Sequence, residues 1–435
     1  MKQVFFQLLQ FEVWIMSQML NSIVAETKYY LHDFSFLCAH RRSPSFFARK
    51  TCRLTFPVVI GIVLSLPKAA MQVEINQFTK NFVPHSKSAT AAALFKARKK
   101  IKLTAFHELI EHSLSQIYAA DFKKVLGCRL VAVDGSIFEV PQAARKDYGT
   151  LSTCSVEVAK AQVCTLYDVE NHIILEASIA PYITNERDEA SQLIQQLERK
   201  SEETGIKNLY IFDRGFPCKR LLHELKHTPY IFRVSKHFTA SINRADLPDQ
   251  IVTVQDSHKE KIELRVLNID LGNGKTERLF TNILDKEITT EEFKSIYRKR
   301  WRIESRYNVL KNLLDIDNFS SADKDLIEQD FYATIFLSNM VRLAQNYADE
   351  EIRKKNEKKG LKYEYKTNTN TAISELRPML IEALMANPLK KVYLFRKILR
   401  RIEKSVVPIR PDRSGNPRQK KYASEKHPMN KKGNR

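Results

Sequence analysis

Two aspartates in this sequence stand at the ends of short apolar runs, where a rigid scaffold can present a carboxylate. Asp134 follows the run LVAV and precedes Gly135, and Asp213 follows NLYIF and precedes Arg214. Carboxylate oxygens are the ligands that hard divalent cations such as Mg²⁺ prefer. Because Asp-Gly is also a common turn and many strands end in aspartate, each residue considered alone is more simply explained as structural.

A third carboxylate lies in a segment with helical spacing. Four side chains fall within one narrow stripe at about 100° per residue: Tyr297, Arg300, Glu304 and Lys311. A neighbouring apolar stripe would pack on a sheet, so Glu304 would lie at the boundary and reach the two aspartates. The alternative is a solvent-exposed helix face with an Arg300–Glu304 pair and no further role. With the two aspartates present, the metal site is the favoured hypothesis.

Three such carboxylates indicate phosphodiester chemistry. They can hold two divalent cations that activate water and stabilise the leaving oxygen of an in-line displacement. Basic residues surround Glu304, which suits a phosphodiester, and the rings of Tyr297 and Trp301 suit stacking on an unpaired base. The remaining acidic candidates are interpreted as structural: Asp168, Glu186 and Asp188.

The composition also indicates a polyanionic partner. The chain has 435 residues, with 71 Lys and Arg against 50 Asp and Glu, a formal net charge of +21. This excess favours nucleic acid, with an anionic membrane surface second, and argues against a typical acidic metabolic enzyme. The most apolar run, residues 56–66, is too short to span a bilayer, and no signal peptide is evident. The six cysteines contain no C-x-x-C pair, which predicts free thiols in a soluble, cytoplasmic protein.

The elements that would position these residues divide the chain into regions. Residues 1–125 are predicted to be helical. Their alanine-rich segment 88–102, with Ser88 as a possible cap, ends in a basic cluster that we interpret as a phosphate-contacting helix, a solvated face being the alternative. Residues 126–403 show three strands followed by alternating helices and strands, which predicts an α/β fold with a mixed sheet flanked by helices.

Two further segments have their own patterns. Residues 236–285 contain runs of alternating apolar and polar residues, two of which flank Asn273-Gly274. We interpret this segment as a β-rich insertion with a hairpin. The following residues, to about 314, are predicted to form one long helix capped by Thr289 or Thr290. Residues 404–435 carry ten basic and two acidic residues and four prolines, so we expect a disordered tail that contacts DNA.

Together these motifs resemble those of DDE transposases of the insertion-sequence-four type, bacterial cut-and-paste enzymes with a ribonuclease-H-like core. The first acidic motif is matched by residues 133–136 and the second by residues 213–216. The third, Tyr-x2-Arg-x3-Glu-x6-Lys, is matched in full by the four residues of the helical stripe. The similarity covers about residues 40–345, including the stretch NERDEA and the helical region that precedes the first strand.

The resemblance implies a ribonuclease-H-like catalytic domain preceded by a helical, DNA-binding N-terminal region. It implies that Asp134, Asp213 and Glu304 bind two Mg²⁺ or Mn²⁺ ions. The partner would be double-stranded DNA, as terminal inverted repeats and as target, bound by a homodimer in a bacterial nucleoid. Element ends would be cut through a hairpin intermediate and their 3′ ends joined to the target. Four residues would contact DNA, the first three through terminal phosphates and the last through a flipped base: Tyr297, Arg300, Lys311 and Trp301.

Other functions remain open at this point. A metal-dependent nuclease with the same core would cut DNA without strand transfer. An inactive or domesticated copy would only bind specific DNA sequences. An RNA-binding protein would explain the positive charge, but it would not explain three acidic residues placed for one metal site.

Overall fold

The computed structural model describes most of the chain between residues 19 and 409. The described ranges are 19–49, 52–66, 69–83, 87–153, 156–235, 238–272, 274–357, 359–385 and 391–409. The expected turn residue Asn273 and most of the predicted basic tail, residues 410–435, lie outside the described residues.

Helices occupy most of the described part of the first 125 residues, as the sequence predicts. They are α1 (19–32), α2 (Phe34–His40), α3 (Phe56–Leu64), α4 (Met71–Phe82), α5 (Ala91–Arg98) and α6 (Thr104–Ala119). The apolar run of the sequence forms α3, whose residues are nearly all buried. Pro57 lies in its first turn, where a helix has no use for the missing N–H.

The basic-ended helix α5 differs from its prediction in two respects. It begins after Thr90, whose hydroxyl accepts the N–H of Ala93, and not after Ser88. Its last residue, Arg98, is only 1% exposed and donates a hydrogen bond to Asp330 at 2.7 Å. The interpretation of α5 as a phosphate-contacting helix is therefore wrong for Arg98, because the charge of this residue binds another helix of the same chain.

Within the described residues, nine strands form one continuous mixed sheet. They are β1 (Arg129–Glu139), β2 (Thr150–Thr153), β3 (Val156–Asp168), β4 (Ile173–Pro181), β5 (Asn208–Phe212), β6 (Tyr230–Val234), β7 (Asp249–Gln255), β8 (Lys261–Asp270) and β9 (Thr276–Thr281). β1, β5 and β6 run parallel, whereas β3 is antiparallel to β1 and to β4. The resulting order, β4-β3-β1-β5-β6, confirms the mixed sheet that the sequence predicts and agrees with the ribonuclease-H-like core that the family resemblance implies. Three helices lie between these strands: the short α7 (Arg145–Tyr148), the 19-residue α8 (Glu186–Thr204) and the short α9 (Lys219–Glu224).

The predicted β-rich insertion extends this sheet. It contains the short helix α10 (Ala240–Asn243) and the strands β7 to β9, and β9 pairs with β6 so that Phe280 lies opposite Phe232. The two rings stack with centroids 5.1 Å apart, which adds a packing contact to the backbone ladder. In the expected hairpin between β8 and β9, Gly274 has a φ of 69°, a conformation that glycine adopts without strain.

Two helices and a 3₁₀ turn replace the single long helix predicted after the insertion. α11 (Thr290–Arg298) is capped by the Thr289 side chain, and Glu292 completes a reciprocal capping box. Residues Lys299–Trp301 form the 3₁₀ turn, and α12 (Arg302–Asn312) follows. None of the three turn residues is Gly or Pro, so helix propensity does not predict the break.

The C-terminal elements join the N-terminal helices to the sheet. α13 (Lys324–Asn356) packs against α3, α6 and β4, so the predicted N-terminal and catalytic regions share one hydrophobic core. After it come β10 (Glu364–Thr367), α14 (Thr369–Met385), α15 (Lys391–Lys404) and β11 (Val406–Ile409). Because β11 pairs with β10, the predicted start of a disordered tail at residue 404 is wrong, and regular structure continues to residue 409.

Free thiols are found, as expected, at the five cysteines that the structure describes: Cys38, Cys52, Cys128, Cys164 and Cys218. The sixth, Cys154, lies outside the described residues. In the part of the chain that the structure describes, no helix is long and apolar enough to cross a membrane.

Candidate active site

The two predicted aspartates lie side by side on neighbouring parallel strands. In the register of β1 and β5, Val133 is opposite Phe212, and each aspartate is the next residue in the chain. Contrary to the prediction, Asp134 does not end its strand, because β1 continues to Glu139 along β3. β5 does end, however, so beyond Val133 one side of β1 is left without a strand neighbour. The place where β5 ends while β1 continues is called the step in the sheet below. Both carboxylates lie at this step and are partly buried.

The third predicted carboxylate reaches the step from α12. The buried hydroxyl of Tyr307 donates a hydrogen bond to the Asp134 carbonyl at 2.8 Å and is hydrogen-bonded to Thr165 at 2.7 Å. These contacts hold α12 against β1 and β3. Glu304, almost one turn earlier on the same helix, has a side chain that is 45% exposed. The geometry thus leaves one carboxylate open to solvent beside two that the sheet holds.

Arg300 is the cation that these three carboxylates share. Its guanidinium is 2% exposed and donates a hydrogen bond to Oε1 of Glu304 at 3.1 Å. Its charge also acts on Asp134 and Asp213. Even so, burial, helped by the charges of Glu186 and Glu304, raises the pKa of Asp134 to about 7 against the opposing effect of Arg300. Arg233 is a second cation at the site, 3.6 Å from Asp213 and shared with Glu277, so the formal negative charge of the carboxylates still exceeds the positive charge beside them.

The other residues of the helical stripe have separate environments. Tyr297 is 1% exposed, and its hydroxyl lies 3.5 Å from Oδ1 of Asp213, so the expectation that its ring stacks on a base is wrong for this structure. Trp301 is 52% exposed, with the Arg300 guanidinium 5.1 Å from the ring centroid. Lys311 donates to Oγ of Ser136 at 2.8 Å and to a neighbouring carbonyl, which ties the end of α12 to β1.

A fourth carboxylate at the site is Glu186, which the sequence analysis treated as structural. It is the first residue of α8, capped by Asn185, and its carboxylate lies against the backbone of Gly135. Burial and the charge of Asp213 raise its pKa. The available signal was the position of Gly135 directly after Asp134, since a residue without a side chain leaves room for a carboxylate from another element.

The two remaining acidic candidates are structural, as interpreted. Asp168 is buried and accepts hydrogen bonds from the Tyr118 hydroxyl at 2.6 Å and from Asn171. Asp188 forms an exposed ion pair with Arg220 at 2.6 Å.

The carboxylate set fits a hard divalent cation by its chemistry, since all its donors are oxygens and its charge is in excess. The three predicted ligands are not drawn tightly together, however. Among the described residues, ligand atoms of three side chains come within 4.8 Å of one another in a single group, which lies elsewhere and contains His223, Asp256 and His258. At the carboxylate site the shared neighbour is instead the Arg300 guanidinium.

Comparisons with known proteins relate this chain to a transposase family and to a solved transposase structure. Residues 127–340 match the family model described as transposase DDE domain, a segment that contains all four carboxylates of the site. Among solved structures, the chain is similar to the cryo-EM structure of a piggyBac transposase synaptic complex with hairpin DNA. That match has 11% sequence identity and a TM-score of 0.43, and covers 93% of this chain and 88% of the other. A search of curated proteins found no match.

Proposed function

We propose that this protein, whose residues 127–340 match the transposase DDE domain, is a metal-dependent DNA transposase. Its reaction centre would lie between β1, β5 and α12. The observation that carries the proposal is the register of the two parallel strands, which sets Asp134 and Asp213 at adjacent positions. The arginine that acts on both of them also binds Glu304, as expected if the three carboxylates work as one group.

Two divalent cations, Mg²⁺ or Mn²⁺, are the cofactors that this donor set would take. Asp134, Asp213 and Glu304 would hold them, with Glu186 as a fourth oxygen donor. The raised pKa of Asp134 supports the assignment, because a buried acidic group among other carboxylates ionises more readily once a cation is near. When bound, the ions supply an activated water and stabilise negative charge on the phosphodiester oxygens.

Side chains beside the carboxylates would position the DNA. Trp301 has the solvent-exposed ring on which an unpaired base can stack. Arg300 would contact a terminal phosphate after leaving Glu304, and Lys311 would contact another from the end of α12. Tyr297 is buried against Asp213, so its hydroxyl would orient that carboxylate more directly than it would contact DNA.

The spacing of the helical stripe supports the insertion-sequence-four type, and with it a cut-and-paste reaction through a hairpin intermediate. The net charge of +21 supports double-stranded DNA as the partner, both as element ends and as target. We place the reaction in the bacterial nucleoid, where a homodimer would hold two element ends together.

An excision assay tests the proposal. A plasmid carrying the gene between its native flanking DNA is incubated with the protein in Mg²⁺, and the products are separated on a denaturing gel that reveals hairpin ends. Wild type is compared with Glu304→Gln and with the control Glu291→Gln, whose exposed side chain lies on α11. We expect excised, hairpin-ended DNA from wild type and the control, and end binding without cleavage from Glu304→Gln.

The other outcomes separate the competing functions. Cleaved ends without hairpins or joined products would show a nuclease of the same core. Specific binding without cleavage by the wild type would show a regulatory or inactive DNA-binding protein. Equal cleavage by wild type and Glu304→Gln would remove Glu304 from the reaction centre.

A further inference from the structure

A second cluster of ligand-type side chains lies at the turn between β7 and β8, away from the carboxylate site. The turn covers residues 256–260 and rests on α9, where the Ser257 N–H donates to the Lys219 carbonyl at 3.3 Å. His223 projects from α9, and Asp256 and His258 come from the turn. Donor atoms of these three side chains lie within 4.8 Å of one another.

The buried member of the cluster is Asp256. Its Oδ1 accepts the backbone N–H groups of His258 at 2.8 Å and of Glu260 at 2.9 Å, which fixes the turn. Its Oδ2 lies 2.6 Å from Nδ1 of His223. One carboxylate oxygen is thus used to shape the turn, and the other is directed at an imidazole from a separate element.

The two histidines are closer together than this hydrogen bonding requires. Their rings stack with centroids 3.8 Å apart and an interplanar angle of 28°. His258 is exposed, and its Nδ1 lies 3.2 Å from Oγ of Ser257. The bonds to Oδ1 of Asp256 already fix the turn, and the contact of His223 with Oδ2 already joins the turn to α9. The second imidazole adds another nitrogen donor at a solvent-accessible position.

Two imidazole nitrogens and one carboxylate oxygen are a donor set for Zn²⁺ and similar transition-metal ions, with a fourth position left for water. The carboxylate site is different, since its donors are all oxygens. We propose that His223, Asp256 and His258 bind one divalent ion of the zinc class, which fastens the β7–β8 turn to α9. Binding through Nδ1 of His223 would displace the proton that this nitrogen shares with Asp256, and the neutral imidazole would carry its proton on Nε2 instead.

The geometry requires a small local movement. Two ligands on one tetrahedral zinc ion lie about 3.4 Å apart, given metal–ligand bonds of roughly 2.0–2.2 Å. The 2.6 Å contact between His223 and Asp256 would therefore open by about 0.8 Å, and the exposed ring of His258 would turn out of its stack to face the ion. The fold holds Asp256, whereas the exposed side chain of His258 has only its stack on His223 and its hydrogen bond with Ser257 to give up.

Metal binding by the full-length chain tests this inference without any activity assay. Zn²⁺ is titrated by equilibrium dialysis in millimolar Mg²⁺, which occupies the all-oxygen site, and Co²⁺ is added separately to record its visible absorption. Wild type is compared with His258→Ala and with His227→Ala, an exposed histidine a few residues from His223. Thermal unfolding of all three without metal confirms that each one folds.

We expect wild type and His227→Ala to bind one more Zn²⁺ per chain than His258→Ala, or to bind it at least tenfold more tightly. The Co²⁺ complex of wild type should show the intense bands of a four-coordinate site, and His258→Ala should lose them. Equal zinc stoichiometry and affinity in wild type and His258→Ala, or no zinc bound by wild type, would overturn the proposal. None of these outcomes depends on whether the protein cuts DNA.

Discussion

The carboxylate of Glu186 occupies the space that a side chain at position 135 would need. A Cβ added to Gly135 would lie 1.8 Å from Oε1 of Glu186 and 2.9 Å from Nε2 of Gln162. The φ of Gly135 is not positive, so its backbone conformation does not require glycine. The glycine is therefore explained by the approach of a carboxylate that comes from a helix 51 positions further along the chain.

Gly135→Ala should displace the Glu186 carboxylate with little effect on the fold. The methyl group would meet the end of a flexible side chain, which can move away into solvent. We expect at least a tenfold loss of DNA cleavage at limiting Mg²⁺ and a change in unfolding free energy of about 1 kcal/mol or less. The measurements are cleavage rate against Mg²⁺ concentration and urea denaturation.

Gly215→Ala is the matched control, because a Cβ at Gly215 would have no atom within 4 Å. It lies two residues after Asp213, and its carbonyl still accepts the Arg187 side chain after substitution. If both alanine variants cleave DNA as well as wild type, Glu186 has no role at the site.

Tyr307→Phe should loosen the contact between α12 and β1. The change removes the hydrogen bond to the Asp134 carbonyl and leaves Thr165 without its buried partner, which costs about 1–3 kcal/mol of unfolding free energy. Tyr297→Phe is the comparison, since its hydroxyl makes only one long contact of 3.5 Å. Urea denaturation should rank Tyr307→Phe as the less stable variant. The reverse order would mean that α12 is held by other contacts.

Arg98→Ala should lower the unfolding free energy of the protein, an effect that loss of a DNA contact alone would not produce. The substitution leaves the Asp330 carboxylate without its buried partner and removes hydrogen bonds to Gln329 and Ser320. Breaking such a pair costs about 3–5 kcal/mol. Lys96→Ala, an exposed position on the same helix, should change the unfolding free energy by less than about 0.5 kcal/mol. Equal denaturation midpoints for the two variants would contradict a structural role of Arg98.

His172 should make the fold sensitive to mild acid. Burial and the charges of nearby cations together lower its pKa to about 2, the cations being Arg342, Arg302, Arg306 and Lys123. The unfolded chain therefore binds the proton first, so stability falls as pH drops below the unfolded pKa of about 6.5. The loss approaches about 1.4 kcal/mol per pH unit, or about 2 kcal/mol between pH 6.5 and 5.

His172→Asn should remove this contribution. The φ of 62° at this position suits asparagine, although the contact of the ring with the Tyr167 hydroxyl is lost. Urea midpoints at pH 7 and pH 5 should therefore differ less for the variant than for wild type, and other histidines contribute equally to both. The same pH dependence in both proteins would show that His172 is protonated without cost in the fold.

Much of the fold was predictable because its strands and helices carry local signals. Alternating or fully apolar runs marked the strands, and Thr289 with Glu292 marked the start of α11. Pairings between distant segments leave no such signal. The contact of β9 with β6, which joins the insertion to the main sheet, depends on packing such as that of Phe280 on Phe232.

The site was predictable as far as residue type and spacing could take it. Asp134, Asp213 and Glu304 were predicted in this way, and in the structure the charge of Arg300 acts on all three. Glu186 was missed because acidic residues in the first turn of a helix are common, stabilised by the helix dipole alone. Burial was the second limit. Arg98 and Tyr297 are of residue types that often contact DNA, and only the fold shows that their side chains are buried.

The pairing of Arg98 with Asp330 also bears on how the chain folds during its synthesis. The two residues are 232 positions apart, so α5 leaves the ribosome long before α13, whose Asp330 neutralises the charge of Arg98. At roughly 5–20 residues per second, this interval is about 10–50 s. Throughout it, the N-terminal helices have no α13 to cover their apolar faces. Productive folding of this protein must therefore wait until most of the chain has been synthesised.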